Sequence, residues 1–199
     1  VRPPEAPSEA ERVEVDALDR ELANVEALVI LERVQPAHEA ADAALVRAEQ
    51  IAYAPTLARA RLARARVALL EGLPAQALPW FEAAAAAAGG GVHEAVERDA
   101  ALASMTQAGA RGLDRPASAR WRRIVVALIG REGGSPREQA RLAGRLALAE
   151  GWVSLAEGEY VHAREQLAEA EQAFAAELDA SDPLALEQWL ARAQLELAF

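Results

Sequence analysis

With 199 residues, 52% of them hydrophobic, and a net charge of −10, the chain can form one domain or a short repeat array, and its acidity argues against general nucleic-acid binding. It has no Cys, so there is neither a disulfide framework nor a thiolate metal site, and the redox compartment stays open. No run of 18 apolar residues exists, and the N-terminal stretch is expected to be neither a signal peptide nor an anchor. Roughly a quarter of the residues are Ala, the best helix former, while β-branched and aromatic residues are scarce, which predicts an all-α chain. All 21 cationic residues are Arg, a pattern of GC-rich bacterial genomes.

In chain order, the opening "VRPPEAPSEAER" lacks a Met and reads as a linker from a larger protein, residues 1–7, ahead of one helical repeat domain over 8–199. Ser8 with Glu11 makes a capping box, and Val15, Leu18, Leu22, Val25 and Val29 form a helical stripe that Pro36 interrupts. A second helix takes Ala40, Ala44, Leu45 and Ala48 before Pro55. "TLARARLARARVALLEG" closes at Gly72, and "PAQALPWFEAAAAAA" ends at Gly89–Gly91, with Pro79 expected to bend it slightly. The next helix ends near Gly112, and "RPASARWRRIVVALIG" follows with Ala117, Trp121, Ile124 and Leu128 on one face. Past "GREGGSPRE", Ser135, Pro136 and Glu138 open a helix running to about Glu157. Its partner holds Tyr160, Ala163, Leu167, Ala170 and Phe174, and a terminal helix opens at Ser181.

Nine helices result, in hairpins over about 8–52, 54–88, 92–130 and 135–179 plus a terminal helix over 182–199. Short connections force neighbours antiparallel. The turn positions Gln35, Gly72, Gly112 and Gly158 stand 37, 40 and 46 residues apart, a period that reads as an α-solenoid.

Two hairpins repeat one ladder. After Gly72 come Ala77, Phe81 and Ala84; after Gly158 come Ala163, Leu167 and Ala170 at the same spacing. With Ala65 and Gly151 in the preceding helices, Tyr160 in the turn and Trp189 beyond, this resembles the tetratricopeptide repeat, whose small residues sit where two helices cross closely. Residues 136–180 and 58–88 match best. The outer hairpins are poorer: 8–52 has Ala40 but no turn glycine, and 92–130 has Gly112 and Ala117 with Met105 at the small position. Over nearly the whole chain, stretches such as "YAPTLARARLARARVALLEGLPAQAL" and "GWVSLAEGEYVHAREQLAEAEQAF" look like the repeat region of myxobacterial-type serine/threonine protein kinases. The resemblance implies an N-terminal kinase domain and a membrane helix or linker in the parent. None of the kinase elements stands in this chain, so it is expected to be non-catalytic itself.

The resemblance also implies a binding surface, because first helices line the concave side of such arrays. Helical spacing then selects Val25 and Val29, then Arg59, Leu62, Arg66 and Leu69, then Leu102 and Thr106, and finally Arg145, Leu148, Trp152 and Leu155. Arg and Trp suit a protein- or peptide-binding groove, and at most two of Arg59, Arg61, Arg64 and Arg66 can enter one groove. Trp152 has a second reading, as a wedge filling space against the terminal helix or an absent next repeat.

No cofactor or metal site is expected. His38, His93 and His162 lie in different hairpins, and the Gly runs lack GK[ST] and read as helix stops. The serines show no nucleophile elbow, and paired acids such as Glu169 and Glu171 sit on solvated helices. Residues 111–145 hold nine Arg against three acids, a balance of +6. This strip around "RWRR" either docks an acidic partner or neutralises the acidic hairpins beside it. Leu195, Leu197 and Phe199 are expected to be exposed at the end, inviting further repeats or self-association through the C-terminal helix. Against the binding module stand a spacer or oligomerisation element, using the Val15–Val34 stripe as a seam, and a small-molecule sensor. No membrane contact is expected, and the compartment is not set by the sequence.

Overall fold

The computed structural model describes Pro7, residues 9–89, 93–112, 114–131, 135–174, 190–192 and 194–195. The caps at Ser8 and Ser181, most of the 1–7 linker, Trp189, Leu197, Phe199 and most of the terminal helix over 182–199 lie outside the described residues. Among the described residues the fold is all-helical and has no strand. In order come α1 (Glu9–Ile30), α2 (Val34–Ile51), α3 (Ala54–Leu70), α4 (Pro74–Ala88), α5 (Glu94–Thr106), a π-helical turn (Gln107–Arg111), α6 (Arg115–Arg131), α7 (Pro136–Glu157) and α8 (Tyr160–Phe174). The chain divides into two compact units, Val1–Ser104 and Met105–Phe199.

In the first unit α1 packs on α2 and α3, α2 on α3, and α3 on α4. Its core joins Leu18, Leu22 and Val25 of α1 to Ala37, Ala41, Ala44, Leu45 and Ala48 of α2 and to Ala60, Ala63 and Val67 of α3. In the second unit the π-helical turn packs on α6 and α7, α6 on α7, and α7 on α8. There Ala147, Leu148, Ala163, Leu167, Ala170 and Phe174 form one cluster with Ala191 and Leu195. Leu195 is therefore buried, against the expectation of an exposed end, because it closes over the α7–α8 pair.

The α1–α2, α3–α4 and α7–α8 connections are the same turn. Each first helix ends with a left-handed residue: Glu32 at φ 52°, Gly72 at φ 74°, Gly158 at φ 77°. The N–H of that residue bonds back three residues, and the next N–H bonds back five. The pairs are Glu32→Val29 and Arg33→Leu28, Gly72→Leu69 and Leu73→Ala68, Gly158→Leu155 and Glu159→Ser154, all at 2.8–3.1 Å. This is the Schellman closure, which satisfies carbonyls the helix would leave orphaned. The second helix then starts two residues past the left-handed one in all three.

The first turn therefore centres on Glu32 and not Gln35. Pro36 does not break the chain; it sits in the first turn of α2, where its missing N–H costs nothing. Once anchored on Glu32, the first hairpin carries the ladder in full. Ala37, Ala77 and Ala163 stand five residues after the turn, Ala41, Phe81 and Leu167 nine after, Ala44, Ala84 and Ala170 twelve after, and all are buried. Seven residues before it stand Val25, Ala65 and Gly151. Volumes compensate at the equivalent crossing positions: Val25 with Ala41, Ala65 with Phe81, Gly151 with Leu167. A Cβ on Gly151 would lie 2.8 Å from Leu167 Cδ2, so this crossing has no room for even a methyl group.

The third connection differs. Gly112 has φ −89°, its N–H reaches Gln107 O at 2.9 Å, and Asp114 N–H reaches Ala108 O at 2.8 Å. The helix widens into its π turn, and α6 begins three residues after Gly112, one later than in the other hairpins. Asp114 caps α6 by accepting from Ala117 N–H at 3.0 Å. Ser118 Oγ–H donates to Met105 O at 3.1 Å. A Cβ on Gly109 would stand 2.7 Å from Ser118 Oγ and from Val153 Cγ2, so glycine here lets α6 and α7 close on the widened turn. At α7 the capping box is formed: Ser135 Oγ accepts from Glu138 N–H, and Glu138 Oε2 accepts from Ser135 N–H at 2.7 Å. α4 runs unbroken through Pro79.

Candidate functional site

The positions thirteen, ten, six and three residues before each turn recur along one side of the first helices, and they contain the sequence-selected residues except Val25, which stands seven before its turn and is buried in the core. The leucines ten residues before, Leu62, Leu102 and Leu148, are buried with Leu22, their counterpart in α1. They brace the helices and leave the charged positions on either side of them as the open part of the face.

In the first unit those charged positions interlock. Thirteen residues before the turn, Arg59 of α3 meets Asp19 of α1, Nη1 to Oδ1 at 2.5 Å. Six before, Arg66 of α3 faces Glu26 of α1 at 3.6 Å and reaches Asp99 of α5 at 3.4 Å. The first helices thus carry acid on α1, base on α3 and acid on α5. These pairs are half exposed, so each contributes at most about 1 kcal/mol.

The other two arginines of α3 point elsewhere. Arg61 Nη1 donates to Ala83 O at 3.3 Å. Arg64 is buried and enters a four-member charge ring: its Nε lies 2.7 Å from Asp42 Oδ1 and its Nη1 3.3 Å from Glu71 Oε2. His38 completes the ring, with Nε2 3.3 Å from Asp42 Oδ2 and Nδ1 on Glu71 Oε1. Burial would raise the Glu71 carboxyl, but hydrogen bonds and charge from His38 and Arg64 outweigh it and hold the group below its ordinary value. The sequence left His38 isolated. Its partner stands 33 residues away at the end of α3, and the packing of α2 on α3 joins them.

In the second unit, Trp152 is partly buried against the cluster that includes Ala191 and Leu195. Leu155 packs against the same cluster, and Arg145 and Thr106 are half-buried. Much of the basic strip is answered from within. Arg122 bonds Glu150, Arg115 lies 2.8 Å from Glu157 and 3.7 Å from Glu159, and the Arg120 guanidinium stands 5.3 Å from the Trp121 ring centre. Among the described residues no group of three or more His, Cys, Asp or Glu is placed to hold a metal, and no helix is long and apolar enough to cross a membrane. Compared with protein-family models, with curated proteins and with solved structures, the chain matches none of them.

Proposed function

We propose that this chain is a non-catalytic, tetratricopeptide-like interaction module that holds a protein or peptide along the first helices of its hairpins, within a larger bacterial signalling protein such as a serine/threonine kinase. One observation carries the repeat reading: a single Schellman turn closes three hairpins, each followed by buried residues at the same three offsets. Packing supports stacking as well. In the first unit α1 touches α2 and α3 and α2 touches α3, and in the second the π-helical turn touches α6 and α7 and α6 touches α7.

The first-helix face supports the binding reading, because it gathers planar donors at Arg59 and Arg66 beside carboxylates at Asp19, Glu26 and Asp99. A partner on that face needs both signs of charge. The competing reading, a spacer, draws on the same pairs, since each Arg already has an intramolecular acceptor. The experiment that separates them uses the chain as bait in a bacterial lysate, beside Arg59→Ala/Arg66→Ala and Trp152→Ala forms. A stoichiometric partner whose affinity falls about tenfold or more with the double substitution, in a variant with an unchanged urea midpoint, supports the module. A partner held equally by every variant refutes the face, and no partner at all favours the spacer.

A further inference from the structure

α6 breaks the charge pattern of the helices that follow a hairpin turn. α2 exposes Glu39, Asp42 and Glu49, α4 has only the half-buried Glu82, and α8 exposes Glu165, Glu169 and Glu171 against Arg164. α6 has five arginines, all exposed, and no acid. Ser118, Trp121, Val125 and Leu128 are its buried residues, so the arginines hold the outer side of the helix. The neighbouring α7 answers only one end of it. Arg115 lies 2.8 Å from Glu157, and Arg122, seven residues on, bonds Glu150, seven residues back, which sets the two helices antiparallel. Carried past Arg122, this register places Ala127 level with Arg145 and Arg131 level with Arg141. Residues 123–149 hold Arg123, Arg131, Arg137, Arg141 and Arg145 against Glu132 and Glu138, and Glu138 is engaged in the α7 cap. Arg123 and Arg131 are exposed, and among the described residues neither has an acceptor.

We propose that this end of α6 docks an acidic protein segment, a short stretch of chain carrying several Asp or Glu side chains. The surface stands on a second helix and is independent of the first-helix face. Its charge sets the sign of the partner, and its spacing sets the class. Arg120, Arg123 and Arg131 lie along one stripe, three and eight residues apart, so their Cα atoms climb about 4.5 and 12 Å along the axis. Cations strung out in this way suit separate single charges along a chain, whereas one phosphate dianion needs donors that converge on a point. Between them Val126 is 45% exposed and Ala127 is exposed, which gives the middle of the segment an apolar seat. The basic surface is also small within a chain of net charge −10. A duplex or an anionic membrane extends far beyond the roughly 8 Å over which salt screens charge, and so meets the acidic remainder of the chain. A short segment meets the arginines alone.

The probe is a labelled Gly/Ser dodecapeptide bearing four glutamates, with its four-glutamine form as control, titrated with the full chain by fluorescence anisotropy. The glutamate peptide is expected to bind and the glutamine peptide is not, with an affinity that falls as salt is raised. Arg123→Ala/Arg131→Ala is expected to weaken binding about tenfold, the size of two exposed charge pairs. Arg33→Ala/Arg164→Ala, the same loss of charge at exposed arginines elsewhere, is expected to leave it unchanged. All four side chains are exposed, and an unchanged urea midpoint checks that each variant is folded. No binding of the glutamate peptide overturns the proposal, and equal losses in the two double variants overturn the site. Single-stranded DNA or phosphatidylserine vesicles bound more tightly than the peptide, with the same loss in Arg123→Ala/Arg131→Ala, overturn the class of partner.

Discussion

Glu32 occupies the left-handed site that glycine fills in two equivalent turns, so Glu32→Gly should stabilise the first unit, whereas Gly72→Ala should destabilise it. The magnitude follows from local terms. Left-handed backbone costs an L-residue about 1–2 kcal/mol, and glycine's greater unfolded-state freedom returns about 0.5–1 kcal/mol of that. The net expectation is a gain of about 0.5–1 kcal/mol at Glu32 and a similar loss at Gly72. Neither change disturbs contacts. Glu32 is exposed and forms no side-chain ion pair among the described residues, and a Cβ on Gly72 meets nothing within 4 Å. For a chain of this length each variant should move Tm by about 1–4 °C. Urea titration is the assay, followed by far-UV dichroism and by the fluorescence of Trp80, which packs on the first-unit core. Shifts of the same sign in both variants, or a less stable Glu32→Gly, would refute the equivalence of the turns.

Gly109→Ala should cost about 1–3 kcal/mol, since its methyl would stand 2.7 Å from Ser118 Oγ and Val153 Cγ2. Gly130→Ala, with open space around it near the end of α6, should be neutral or gain up to about 1 kcal/mol in the same thermal melts. Because the folded-state Glu71 carboxyl lies below its ordinary value, its stabilisation is complete above the unfolded pKa and fades as pH falls through the lower, folded one. Glu71→Gln should therefore narrow the stability difference between neutral and acidic pH, read by urea midpoints across the carboxylate range. Ala163→Leu should destabilise α7–α8 by about 1–3 kcal/mol, because this fully buried position lies at the helix crossing; an unchanged melt would contradict the packing argument.

The helices and their ends were legible because they are written in local chemistry. Gly72 and Gly158 announce left-handed stops, Ser135 with Glu138 announces a cap, and the apolar spacing marks the buried stripes. The first turn was misplaced by three residues because Pro36 is a louder signal than Glu32, which takes a glycine's conformation without being one. The π turn was not legible at all. It depends on α6 and α7 closing against Gly109, and Gly109 sits in an otherwise ordinary helical stretch. The selected leucines and the arginines between them occupy adjacent stripes only three residues apart. Periodicity groups them on one side, and only packing separates the buried Leu62 from the paired Arg59 and Arg66.

That separation bears on how the first-helix face would bind. An exposed ion pair contributes so little that a partner carboxylate can replace Asp19 on Arg59, or Glu26 on Arg66, at almost no net cost. Meanwhile the intramolecular acid keeps each guanidinium extended across the neighbouring helix, reducing the side-chain entropy that binding would otherwise remove. An incoming segment of one charge sign would leave the displaced acids or bases facing their own kind. A segment of alternating sign would re-pair both, so charge pattern, more than net charge, is what the proposed binding face would discriminate. Asp19→Asn/Glu26→Gln should therefore shift preference toward purely acidic segments, and a mixed-charge segment bound as tightly as before would contradict that.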